Sequence, residues 1–142
     1  MSAAAPALDG VLETCVYCSA AERDQVERFY TEVLGLEAVS RWPDGIALRI
    51  GAGVLLLFER DRLAERQGPI ARHGTSGPGH VCLLATGPGE YEAWRRHLER
   101  AGVGITHEHS WGEERHSIYF EDPARNLIEI ADGDLWPPAK RS

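Results

Sequence analysis

The chain has 142 residues, of which 43% are hydrophobic, and its formal net charge at pH 7 is −7. This length is typical of one domain, and the apolar content is sufficient for a hydrophobic core. The negative charge, without a cluster of Lys and Arg, argues against binding to a nucleic-acid backbone. The start of the chain lacks the pattern of a secretory signal, and no later stretch is long enough to cross a bilayer, so we expect a soluble, cytoplasmic protein.

The first half of the chain predicts a strand, a helix and three more strands. Residues 11–18 alternate in a β-prone run, and residues 21–34 place their apolar side chains on one helical stripe. Gly35 is a natural end for that helix. Three further β-prone stretches follow, separated by Pro-Asp-Gly and Gly-Ala-Gly turns, at residues 37–42, 46–50 and 54–58.

The second half repeats this order after a connector. Residues 60–78 contain several glycines and prolines and no hydrophobic periodicity, which predicts the connector. The elements predicted after it are a strand at 80–85, a helix at 90–101 and strands at 105–110, 117–121 and 127–131. The order β-α-β-β-β thus occurs twice, which is typical of a tandem duplication with a period of about 67 to 73 residues.

This repeat defines the expected domain organisation. We expect one domain at residues 10–136, between loose tails at residues 1–9 and 137–142. Within it, module 1 covers about 10–59 and module 2 about 79–133.

Three strand residues of the repeat carry metal-ligand side chains. Superposition of the halves makes Glu13 equivalent to His80, and Leu56 equivalent to Glu129. Because side chains two apart on a strand share a face, Glu13, His80 and Glu129 are expected on one concave surface. No Lys or Arg occupies these strand positions, so the carboxylates need a compensating cation. The residues therefore predict a site for one divalent transition metal, Fe²⁺, Mn²⁺, Zn²⁺, Ni²⁺ or Co²⁺. Taken singly, each residue is also compatible with a solvent-facing or structural role.

Certain stretches of the sequence are distinctive, above all LETCVYCS at residues 12–19, Gly79-His80-Val81, and SIYFEDPARNLIEIA at residues 117–131. They resemble the vicinal-oxygen-chelate superfamily, which groups glyoxalase I, extradiol dioxygenases, fosfomycin-resistance proteins, methylmalonyl-CoA epimerase and bleomycin-binding proteins. The resemblance implies an α+β fold in which two tandem βαβββ modules form an eight-stranded cupped mixed sheet, with the helices on its outer face.

The resemblance also implies a function. It makes Glu13, His80 and Glu129 the metal ligands and puts the fourth ligand position of the family on Leu56. The expected protein is a metal-dependent enzyme for an oxygen-chelating small molecule, either an extradiol-type dioxygenase or a related lyase. The alternative is a metal-free protein that binds and sequesters a small molecule such as an antibiotic. A homodimer is expected in either case, swapped or unswapped. The family commonly has glycine at the position of Arg125, so a strained positive φ is expected there if the turn is retained.

Aromatic and cationic side chains of the same strands are candidates for substrate contacts. An aromatic wall is expected from Tyr17, Trp42, Phe58, Trp111 and Tyr119, and contacts to an anionic group are expected from Arg49, Arg115 and His116. Core packing of the aromatic residues, and solvent exposure of Arg115 and His116, remain alternatives. The pattern assigns no catalytic acid or base.

Overall fold

The computed structural model describes residue 8 and residues 10–75, 77–87 and 90–137. The first half contains β1 (Glu13–Cys18), α1 (Arg23–Arg28), β2 (Glu37–Trp42), β3 (Gly45–Ile50), β4 (Gly53–Glu59) and α2 (Arg60–Ala64). The second half contains β5 (His80–Leu84), α3 (Glu90–Arg100), β6 (Ile105–Gly112), β7 (Arg115–Glu121) and β8 (Leu127–Ala131). The predicted tails at 1–9 and 137–142 lie almost entirely outside the described residues.

Each half of the chain forms its own four-stranded sheet. The strand order is β1-β4-β3-β2 in the first sheet and β5-β8-β7-β6 in the second. In both sheets the first and last strands of the module pair in parallel, and the other neighbours are antiparallel. This shared topology confirms the α+β class and the two tandem βαβββ modules. Among the described residues, no helix has the length and hydropathy needed to cross a bilayer.

The predicted helix of module 1 is a continuous helical segment with three geometries. It begins at Ser19, whose hydroxyl accepts a hydrogen bond from the Glu22 backbone while the Glu22 carboxylate accepts one from the Ser19 backbone. A 3₁₀ turn at Ala20–Glu22 leads into α1, and a π-helical turn at Phe29–Val33 follows. Residues 20–33 together are called the first helical segment. The predicted apolar stripe is buried at Val26, Phe29, Tyr30 and Leu34.

The two modules share one hydrophobic core on the helix-covered faces of both sheets. The core contains side chains of the first helical segment, of both sheets and of α3, including Val16, Leu57, Leu98, Ile118 and Ile128. Phe29 packs against Phe120 with ring centroids 6.1 Å apart, so the first helical segment contacts the second sheet. Burial of this apolar surface therefore holds the modules together.

The connector contains a helix that the sequence did not predict. Leu63 of α2 is fully buried and packs against Tyr17 and Phe58 on the face of the first sheet opposite the core. Arg66 then donates two hydrogen bonds, of 2.7 and 2.5 Å, to the Asp44 carboxylate in the turn between β2 and β3. A helix of five residues is unstable alone in water, so these tertiary contacts are what stabilise α2.

The turn between β7 and β8 ties the modules together through buried hydrogen bonds. The Asn126 amide donates to the main-chain oxygen of Tyr17 at 3.0 Å and to the Asp122 carboxylate at 2.9 Å. Its oxygen accepts from the backbone N–H of Gly79 at 2.8 Å. Asp122 also accepts a hydrogen bond of 2.8 Å from the Tyr30 hydroxyl. One turn is thus bonded to β1, to the start of β5 and to the first helical segment.

The same turn has the backbone conformation expected from the sequence. Arg125 has a φ of 69°, although this region is unfavourable for a residue with a side chain, by about 1 kcal/mol. The Asp122 carboxylate holds the turn by accepting hydrogen bonds from the backbone N–H groups of Ala124 and Asn126. Burial raises the pKa of Asp122 above its ordinary value, which these donors and the Tyr30 hydroxyl partly oppose.

β2 and β6 each form one edge of their sheet, opposite β1 and β5, and both are irregular. The pairing register of β2 shifts between Ala38 and Ser40, and that of β6 shifts twice. Such bulges bend a strand and increase its local twist. Every residue of β6 after Ile105 is exposed to solvent.

We predict that Asn126→Ala lowers the free energy of unfolding by about 3 kcal/mol or more, because buried partners in both modules lose their hydrogen bonds. Urea unfolding followed by circular dichroism measures the change. The matched control is Arg125→Ala, an exposed neighbour expected to change stability by less than about 0.5 kcal/mol. Equal small effects of both substitutions would show that the network does not hold the modules together.

Candidate functional site

The face of the second sheet that carries His80 on β5 and Glu129 on β8 is called here the open face. In the parallel pairing of these strands, His80 lies opposite Leu127 and Cys82 lies opposite Glu129. The His80 and Glu129 side chains therefore meet across adjacent strands, with 3.3 Å between His80 Nε2 and Glu129 Oε1. The structure thus brings together two of the three predicted metal ligands.

A main-chain contact orients the His80 ring. Its Nδ1 lies 2.9 Å from the Leu127 carbonyl oxygen, which can only accept, so Nδ1 carries the proton and donates. In the neutral ring, Nε2 then presents its lone pair to the Glu129 carboxylate. Two acceptor atoms at this distance repel each other unless a proton or a metal cation lies between them.

The separation of these two atoms fits a shared metal ion. Two donor atoms that each lie about 2.1 Å from one ion and 3.3 Å from each other subtend an angle of about 100°. This value lies between the ideal angles of tetrahedral and octahedral coordination. His80 and Glu129 could therefore both bind one divalent cation without moving apart.

Glu129 is a carboxylate that is only 5% exposed. Its Oε2 accepts a hydrogen bond of 2.6 Å from the Ser117 hydroxyl, whose oxygen accepts one of 2.9 Å from the indole N–H of Trp111. This chain leaves Oε1 directed at His80. Within the described part of the molecule, Glu129 forms no ion pair with Lys or Arg. A buried carboxylate without a Lys or Arg partner favours a bound cation.

Two neighbours of Glu129 hold their protons at neutral pH. Desolvation and the adjacent carboxylate of Glu129 raise the pKa of the Cys82 thiol to about 12. The same two causes raise the pKa of the Tyr119 phenol. Both groups therefore add no negative charge to the site, and both are hydrogen-bond donors to Glu129.

A depression of about 270 Å³ lies on the open face beside this pair, lined by residues that include Cys82, Leu84, Ala131, Leu135 and Trp136. A larger depression, of about 360 Å³, lies between the first helical segment and α3, on the helix-covered side. The open face is the candidate site, because the oriented imidazole and the buried carboxylate lie there and not in the depression beside α3.

Glu13 does not join His80 and Glu129 within one chain. It is the first residue of β1 and is exposed to solvent. Nowhere in residues 8, 10–75, 77–87 and 90–137 do three side chains of His, Cys, Asp or Glu meet as a possible metal site. Leu56, at the fourth ligand position of the family, is partly buried. It packs against the cluster of Tyr17, Phe58 and Leu63, on the face of the first sheet opposite the core.

Three predicted substrate contacts form an aromatic cluster on the first sheet. The ring centroids of Tyr17 and Phe58 are 6.1 Å apart, and those of Trp42 and Phe58 are 5.8 Å apart. The connector covers this cluster, because His73 contacts the Tyr17 hydroxyl and packs edge-on against the Phe58 ring. These aromatic side chains therefore pack inside module 1 and do not meet His80 and Glu129 in the single chain.

The other predicted contacts are divided between the two faces of the sheets. Trp111 and Tyr119 lie on the open face, and Arg49 is exposed on β3. Arg115 forms an ion pair of 3.0 Å with Glu113 at the start of β7. His116 lies on the helix-covered face, where its ring is bonded to Asp132 at 3.0 Å and packs on α3. The structure therefore does not bring His116 to the site. Side chains alternate along β7, and His116 is next to Ser117, which lies on the open face.

Three residues of the open face were not candidates from the sequence: Ser117, His107 and His109. In the pairing of β6 with β7, His107 lies opposite Tyr119 and His109 lies opposite Ser117. The sequence contained the signal for all three. Ser117 is two residues before Tyr119 and so shares its face, and His107 and His109 are two apart on a strand whose bounds were predicted almost as observed.

Comparison with known proteins identifies the family. Residues 23–130 match the family model described as the Glyoxalase/Bleomycin resistance protein/Dioxygenase superfamily. The chain belongs to this superfamily.

Relatives of this glyoxalase-superfamily chain support the assignment. A virulence protein of Salmonella typhimurium is 33% identical over 108 residues, which are 73% of this chain and 72% of the relative. The solved lactoylglutathione lyase from Agrobacterium tumefaciens is 33% identical with a TM-score of 0.83, over 91% of this chain and 97% of the lyase. The fosfomycin resistance protein FosX from Mesorhizobium loti is 14% identical with a TM-score of 0.61, over 91% of this chain and 96% of FosX, and shows the fold alone.

We predict that Ser117→Ala lowers the free energy of unfolding by about 1 to 3 kcal/mol, because a buried carboxylate oxygen loses its donor. Thermal or urea unfolding measures the change. Ser110→Ala on β6 is the matched control, since Ser110 is exposed and a change within about 0.5 kcal/mol is expected. A loss no larger than in this control would contradict the hydrogen-bonded chain to Glu129.

Proposed function

We propose that the protein is a metal-dependent enzyme with lyase-type chemistry, which acts on a small substrate that presents two oxygens to the metal. The observation that carries the proposal is the His80–Glu129 pair, in which a lone pair and a buried carboxylate oxygen lie 3.3 Å apart. Imidazole together with carboxylate suits Fe²⁺, Mn²⁺, Zn²⁺, Ni²⁺ or Co²⁺. When bound, such an ion supplies a Lewis acid that polarises the substrate oxygens.

The proposal includes a homodimer in which a second copy supplies Glu13 as the third ligand. Glu13 is exposed at the start of β1, preceded by Val11 and Leu12, which are 81% and 72% exposed. The open face likewise exposes apolar side chains, with Leu84 64% exposed and Trp136 76% exposed. Contact between the start of β1 in one copy and the open face of the other would bury both apolar surfaces and complete the ligand set.

The remaining residues of the open face bind and orient the substrate in this proposal. Ser117 holds Glu129 so that one carboxylate oxygen points to His80. The protonated Cys82 and Tyr119, which donate to Glu129 in the free protein, would donate to a substrate oxygen without adding charge. The exposed Trp111 ring offers an apolar surface to the rest of the molecule.

The comparisons support lyase chemistry over ring-cleaving dioxygenation. The Agrobacterium tumefaciens protein, which is 33% identical over 91% of this chain, is a lactoylglutathione lyase. Leu56 nevertheless leaves the site with three protein ligands instead of the four expected of glyoxalase I, so we infer a different substrate of similar chelating chemistry. The exposure of Glu13 in the single chain favours the second candidate function, metal-free sequestration of a small molecule.

We predict that the protein, loaded with Zn²⁺, Mn²⁺ or Fe²⁺ and then dialysed against metal-free buffer, retains about one equivalent of the metal per chain. His80→Ala and Glu129→Ala lose this equivalent. Ser117→Ala lowers the affinity for the metal by about tenfold, because the Glu129 carboxylate is no longer oriented. Metal analysis by mass spectrometry measures the content. His97→Ala, an exposed imidazole on α3, is the matched control. Retention of no metal by the unaltered protein would leave sequestration as the function.

A mixing experiment tests the origin of the third ligand. Glu13→Ala and His80→Ala chains should each lack the retained metal, and co-refolding equal amounts should restore about a quarter of the sites, because each mixed dimer contains one intact ligand set. Metal content before and after mixing is the measurement. Failure to recover any metal on mixing, with each parent folded and dimeric, would rule out a ligand set shared between copies.

A further inference from the structure

Two histidine rings meet on β6 at the rim of the open face. His107 Nε2 lies 3.3 Å from His109 Nδ1, and both side chains are exposed. Their positions two residues apart put them on the same face of the strand. The rings are also held from the sides, because Tyr119 packs beside His107 at 5.8 Å and Trp111 packs edge-on against His109 at 4.5 Å between centroids.

The contact between the two rings suits chelation better than a hydrogen bond. A distance of 3.3 Å is long for a hydrogen bond from N–H, and two protonated rings would place like charges together. Neither ring has another hydrogen-bond partner among the described residues. Two imidazole nitrogens that each bind an ion at about 2.0 to 2.1 Å would lie near this separation.

We propose that His107 and His109 form a second metal site, a two-imidazole chelate for a borderline transition-metal dication such as Cu²⁺, Ni²⁺ or Zn²⁺. The aromatic neighbours restrict the ring orientations before the ion arrives, which reduces the entropy lost on binding. Affinity should follow the order Cu²⁺ above Ni²⁺ and Zn²⁺, as imidazole sites generally do.

This site is separate from the His80–Glu129 pair. His107 lies opposite Tyr119, which lies opposite Glu129, so two strand spacings of about 4.8 Å separate the backbones of His107 and Glu129. Among the described residues, the two histidines and the His80–Glu129 pair do not gather into one cluster of metal-ligand side chains. No third His, Cys, Asp or Glu side chain joins the histidines in the described chain, so water completes the coordination and the ion exchanges readily.

The test uses the His80→Ala protein, in which the site of the proposed function is removed, titrated with Cu²⁺ alone. We expect one bound equivalent, with an electron paramagnetic resonance spectrum that shows two coordinated imidazole nitrogens. Adding His107→Ala or His109→Ala should weaken binding at least about tenfold, because a single imidazole loses the effective concentration of the second. Calorimetry measures the affinity, and circular dichroism confirms that the variants fold.

The matched control combines His80→Ala with Thr106→Ala and Ser110→Ala, two exposed positions on the same strand. This control should bind Cu²⁺ as the His80→Ala protein does. Unchanged affinity after removal of His107 and His109, or a spectrum with fewer than two imidazole nitrogens, would overturn the proposal. Because His80 is absent throughout, either outcome leaves the test of the proposed function unaffected.

Discussion

Asn126 and Asp122 form a buried hydrogen-bond network on which both the fold and the site depend. The Asn126 oxygen holds the Gly79 backbone immediately before His80, and Asn126 itself immediately precedes Leu127, whose carbonyl oxygen orients the His80 ring. Glu129 follows two residues later on the same strand. The turn that bonds the second module to the first therefore also sets the relative positions of the imidazole and the carboxylate. Such a network is stabilising only when every buried group in it has a partner.

The sequence predicted the strands well because their side chains alternate and their turns contain glycine and proline. The proximity of His80 and Glu129 followed from the duplication, since the first and last strands of each module pair in parallel. α2 was not predicted, because a helix of five residues with one buried leucine has no hydrophobic periodicity. Its packing on Tyr17 and Phe58, which stabilises it, cannot be read from the local sequence. The position of Glu13 relative to His80 depends on how the modules pack, and strand alternation carries no information about that packing.

The two halves of the repeat have diverged in how they use equivalent surfaces. On the first sheet, the connector closes the surface, because Leu63 and His73 pack on the aromatic cluster of Tyr17 and Phe58. On the second sheet, the corresponding surface stays uncovered and carries histidines, a carboxylate and protonated donors. The core, by contrast, contains side chains of both halves. The two halves are thus similar scaffolds, and the polar side chains lie on the one whose surface is free.

The bulges in the edge strands β2 and β6 protect the protein against aggregation by strand addition. A straight edge with free backbone groups is a template on which a strand from another molecule can add, which leads to aggregation. The bulges in β2 and β6 interrupt the regular spacing of those groups, and the hydrophilic side chains of β6 oppose a dry contact between molecules. The β6 edge of the second sheet therefore resists strand addition, although the open face beside it stays uncovered in the single chain.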